Sequence, residues 1–106
     1  MGVVGPDGFE IAALSTRPVE IPQLSALTST LVAIAQAFML QAGLQPSRHM
    51  ILESPDGSVL LMSIPVGAAT YSLFVISGVD TPLGRILPRA RACAAEIGEA
   101  FTQASE

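Results

Sequence analysis

Between Glu20 and Arg48 the chain carries no charged side chain, yet this stretch has the spacing of a single helix from Gln23 to Ala42. A helix without charge belongs in a bilayer, inside a fold, or at an interface. The apolar run from Leu31 to Leu44 is interrupted by Gln36 and Gln41 and falls short of the roughly 20 residues a membrane span needs. No membrane insertion is therefore expected, and the helix should be buried on more than one side. At about 3.6 residues per turn, Leu24, Leu27, Leu31, Ile34 and Phe38 form one continuous apolar ridge, read here as the face toward the core. Beside it runs a shallower stripe of Thr28, Val32, Ala35 and Met39. These residues are read as the seam for a second helix from another chain.

The remaining composition narrows the setting. A chain of 106 residues, half of them hydrophobic, is expected to be one domain spanning 1–106, with a core large enough to fold without disulfide staples. Its single cysteine excludes an internal disulfide framework, so a cytoplasmic location is the default expectation. The net charge is −4, with five arginines and no lysine, which provides no field to hold a phosphate backbone. Nucleic acid is not an expected partner.

Turn chemistry organises the rest. Pro6-Asp7-Gly8 separates a short strand at Gly2 to Val4 from a second at Phe9 to Leu14, predicting a hairpin. Ser15 to Pro22 reads as a polar connection, with Pro22 tolerated in the first turn of the helix and Gly43 ending it. Pro55-Asp56-Gly57 repeats the turn signature between strands at Arg48 to Ser54 and Ser58 to Ile64, and a further strand spans Thr70 to Ser77. The apolar residues of the last two strands are nearly consecutive, so both faces of the sheet should be covered. The second cover is a helix whose buried face is Leu83, Ile86, Leu87, Ala90, Cys93, Ala94, Ile97 and Phe101, with Arg85, Arg89, Glu96 and Glu99 opposite. Pro88 should disturb this helix by removing a hydrogen bond to Gly84.

Residues able to carry chemistry are few. His49 has no nucleophile and acid arranged around it, and Cys93 sits among apolar helical neighbours that disfavour a thiolate. One Cys and one His far apart do not make a zinc site, and no glycine-rich loop leads into a helix to cradle a nucleotide. No catalytic residue, metal or cofactor is expected, and the chain does not read as an enzyme. Arg85, Arg89 and Arg91 form a small basic group, of which Arg85 and Arg89 are candidates for docking an acidic partner.

Taken in order, Gly5 to Ala12, the uncharged helix from Leu24 to Gly43, the hairpin from Ile51 to Leu61, and Pro82-Leu83-Gly84-Arg85 resemble the roadblock family of dynein light chain-like proteins. The resemblance extends to bacterial members that associate with small Ras-like GTPases, and it covers about Val3 to Phe101. It implies an α+β fold: a five-stranded antiparallel sheet between helical layers, a roadblock/profilin-like α/β/α sandwich in the order β-β-α-β-β-β-α. It also implies a homodimer in which the central helices pack antiparallel and the third strands pair, which would place His49 and Ile51 with Thr28, Val32, Ala35 and Met39 at the interface. The family commonly has a helix before its first strand, and here that helix is not seen. The expected function is a non-enzymatic homodimeric regulatory or scaffold module engaging a small Ras-like GTPase or a related signalling complex. The alternative is a small-molecule-binding sensor domain, with Thr70, Tyr71 and Ser72 as candidate polar groups.

Overall fold

A computed structural model describes residues 1–13 and 19–105. The described elements are β1 (Gly2–Val4), β2 (Glu10–Ala13), α1 (Ile21–Gln41), β3 (His49–Ser54), β4 (Gly57–Val66), β5 (Ala69–Gly78) and α2 (Leu83–Ser105). Leu14, expected to end the second strand, and residues 15–18 of the expected connection lie outside the described residues, as does the side chain of Leu83. The strands form one antiparallel sheet in the order β2-β1-β5-β4-β3. This is the expected β-β-α-β-β-β-α sandwich.

Both predicted hairpins form for the reasons their turns suggest. At the first, Asp7 Oδ1 accepts the Phe9 amide at 3.1 Å, and Gly8 adopts a positive φ of 86° that a residue bearing a Cβ resists. At the second, Gly57 pairs with Gly78 across the β4–β5 ladder, where an added Cβ would strike the Ser77 carbonyl oxygen.

The near-continuous apolar reading of β4 and β5 follows from two separate cores. Leu60, Met62 and Ile64 join Leu73, Ala90 and Ala94 under α2, whereas Leu61, Phe74 and Val4 face Val32 of α1. Alternate residues of one strand thus fill opposite layers. Fully burying side chains such as Leu60 or Leu73 stabilises by about 1.5–3 kcal/mol each. Tyr71 closes the α2 layer against Phe101, with ring centroids 4.8 Å apart.

The helices differ from expectation in detail. α2 continues unbroken through Pro88, expected to disturb it, and runs to Ser105. Gly84, whose carbonyl loses its helical donor to the proline, is exposed, so water can take that place. α1 is 21 residues long with a mean hydropathy of 1.4, so its length and composition meet those of a membrane span, contrary to the argument that the apolar run is too short. In this fold it lies along the sheet, where Val32 packs with Val4, Leu61 and Phe74.

Candidate functional site

The expected core ridge of α1 divides: Leu24 and Leu31 pack on the core as read from the sequence, whereas Leu27, Ile34 and Phe38 do not. Thr28 and Val32, assigned to a seam between chains, are only 4% and 8% exposed and face the sheet of their own chain. Ile34 and Phe38, assigned to the core, are 60% and 72% exposed, and Leu27 and Leu40 are exposed beside them. The reason lies in the sheet. Its α1 side carries Phe74, Leu61 and Val4, all buried, and bulky residues there admit a helix only where its own side chains are small. Ser25, Thr28 and Val32 provide that close approach. The Thr28 hydroxyl stays satisfied by donating to the Leu24 carbonyl at 2.7 Å, which allows a polar residue to face inward.

The displaced apolar residues gather along one side of α1. Leu31, Ile34, Ala35, Phe38 and Met39 border an open groove of about 360 Å³ together with Met50 and His49 of β3. Strand β3 is also the end of the sheet, with a partner on one side alone. An apolar helix flank therefore overhangs a strand whose outer hydrogen-bonding groups meet no other strand among the described residues. Such an edge is a template for another chain. Of the expected interface set, Ala35, Met39 and His49 reach this groove, and Thr28 and Val32 do not. Ile51 lies on β3 at the edge, but its side chain packs into the α2 core.

The groove is bounded at one end by a polar clamp. Gln36 Nε2 donates to the Ser47 carbonyl at 3.0 Å and to Ser63 Oγ at 3.2 Å, while Gln36 Oε1 accepts the Ser47 amide at 2.7 Å. Ser47 Oγ in turn donates to the His49 carbonyl at 2.9 Å. This clamp holds the chain as it enters β3.

The remaining sequence candidates disperse. Arg85 and Arg89 are both exposed near the start of α2, one helical turn apart. Tyr71 packs on Phe101, Ser72 is buried opposite Ser63, and Thr70 lies exposed opposite Pro65, so these three do not converge on one cavity. Cys93 is half-buried against the α2 core. Among the described residues, no three His, Cys, Asp or Glu side chains are grouped as a metal site would require.

No protein-family model matches the chain, and comparison with curated proteins finds no match. Solved structures do match. MglB of Myxococcus xanthus aligns over 96% of this chain and 81% of its own, with a TM-score of 0.83 at 22% identity. An MglB with a tetrameric arrangement aligns over 96% of this chain and 73% of its own, at a TM-score of 0.72 and 19% identity. A Roadblock/LC7 domain from Streptomyces avermitilis aligns over 96% and 82% respectively, at 0.75 and 13% identity. The chain has the roadblock/LC7 fold.

Proposed function

We propose that this chain is a non-enzymatic regulatory or scaffold module that acts as a homodimer in the cytoplasm and engages a small Ras-like GTPase or a related signalling complex. The observation that carries this reading is the apolar flank of α1, with Ile34 and Phe38 largely exposed, beside the open edge of β3. Burying that flank against its copy would remove large apolar side chains from water at about 25 cal/mol per Å², and the β3 edges would add backbone hydrogen bonds across a two-fold axis. A similar fold in an MglB with a tetrameric arrangement lends support to self-association. The GTPase partner follows from the resemblance to bacterial roadblock proteins.

Arg85 and Arg89 are the proposed docking residues for an acidic partner. They occupy the first turns of α2, which contain no acidic residue to complement the helix dipole. Cations at a helix N-terminus oppose the dipole by about 0.3–1 kcal/mol each. The dipole therefore gives no reason for the position of Arg85, and partner binding would; Arg89, a turn further in, is proposed with it because both are exposed on one face.

Light scattering tests the dimer: a mass of twice the chain at micromolar concentration is expected, reduced to one chain by Phe38→Glu with the helical circular dichroism retained. A wild-type monomer would overturn it. Pull-down of a candidate small GTPase by wild type, weakened by Arg85→Glu with Arg89→Glu, tests the docking residues.

A further inference from the structure

A second cavity lies around the corner from the α1 groove, where the sheet is notched. Strand β3 begins at His49, opposite Met62, but β4 runs on through Ser63, Ile64, Pro65 and Val66 with β5 as its partner. The Ser63 amide points across the notch to the Arg48 carbonyl at 3.4 Å. Two residues later the same side of the strand is occupied by Pro65, which has no N–H to leave unpaired. The notch opens a crevice of about 710 Å³, lined by Gln36, Arg48, His49, Ser63, Thr70 and Arg91 among others.

The chemistry of this lining is one-sided. Two of the five arginines of an acidic chain line this crevice, both at exposed positions, one from the entry to β3 and one from α2 on the other layer, and no carboxylate is among the described lining residues. Guanidinium groups brought together without an acid are matched to anionic oxygens. The Gln36 amide and the Ser63 and Thr70 hydroxyls add neutral hydrogen-bonding groups to the same wall. His49 contributes further: its Nδ1 is buried with no hydrogen-bond partner.

We propose that this notch is a binding site for a small molecule bearing an anionic oxygen group, a phosphate or a carboxylate, held by Arg48 and Arg91 with His49 and Thr70 beside it. The cavity is larger than a bare phosphate needs, which leaves room for the organic part of such a ligand. The site is formed within one chain, and its link to the dimer rests on the function proposed above. It would make the module responsive to a metabolite at the end of the strand through which the dimer is proposed to pair.

Titration of the full chain with inorganic phosphate and, separately, with acetate tests the proposal, followed by nuclear magnetic resonance of the arginine Nε–H and histidine ring signals. Saturable shifts at Arg48, Arg91 and His49 are expected with at least one of the two probes. The probe that saturates identifies the group. Arg91→Ala, at an exposed position on α2, should weaken that binding by about tenfold or more, and Ala100→Glu, which changes the net charge equally at an exposed position outside the crevice, should leave it unchanged. Absence of saturable shifts with both probes would overturn the proposal. Equal weakening by Ala100→Glu would also overturn it, because the effect would then be one of general charge. Binding restricted to the Phe38→Glu variant would overturn it as well, showing that a carboxylate of a second copy fills the notch in the assembled protein.

Discussion

The two helices of this fold solve the same packing problem in opposite ways. α2 turns small and aliphatic residues inward, with Ala90 and Ala94 buried, and presents Arg85, Arg89, Glu96 and Glu99 to solvent. It is complete as a surface helix of a single chain. α1 turns Ser25 and Thr28 inward and leaves Leu27, Ile34, Phe38 and Leu40 outside. Polarity is inverted across its axis relative to what water alone would select. The contrast teaches that a helix can satisfy its own sheet by closeness and leave its bulk for another partner.

Substitutions can break or sharpen this contrast. The largest effect is expected for Val32→Glu, which would place a charge between α1 and the Phe74 layer and cost more than about 4 kcal/mol. Loss of the cooperative thermal transition is the expected readout, and a soluble folded monomer would return Val32 to the interface. On α2, Ala90→Leu adds bulk at a position 4% exposed and should cost about 1–3 kcal/mol by urea denaturation. A neutral result would mean that α2 is not closely packed. Gly57→Ala should cost a similar ~1–3 kcal/mol because its Cβ meets the Ser77 carbonyl oxygen. This change leaves both helices intact and so calibrates the other two. Phe38→Glu should change folding of the single chain by less than about 1 kcal/mol while halving the mass in solution, since exposed sites tolerate charge. The smallest effect is expected for Thr28→Val, within about 1 kcal/mol, because the Leu24 carbonyl that its hydroxyl contacts is also an acceptor in the helix itself. A large loss there would mean that the hydroxyl serves the sheet.

The sequence made the elements legible and the orientation of α1 illegible. Two Pro-Asp-Gly turns, with glycine supplying the backbone, marked the hairpins, and the paired apolar runs of β4 and β5 announced cover on both sides. For α2 the charges fixed the buried face, because Arg85, Arg89, Glu96 and Glu99 all fall on one side. α1 has no charges, and its apolar and small polar residues are spread around the axis, so periodicity distinguishes the stripes only by size. The bulkier stripe reaches the core only at Leu24 and Leu31, and the smaller one carries Val32 onto Phe74 and Leu61. The notch was equally hidden. Arg48 and Arg91 lie far apart in sequence, and they converge because β3 starts late and α2 crosses the opposite face.

The late start of β3 follows Pro46, which has no N–H to give a ladder, and is held by Gln36. Its amide engages both the N–H and the C=O of Ser47, as an adjacent strand would, and so it caps the ladder in the manner of a one-residue strand. Any chain that adds to the edge meets a fixed origin from which to count residues. In the proposed dimer, one glutamine on a helix would thereby set the register of a strand pairing that it does not itself touch.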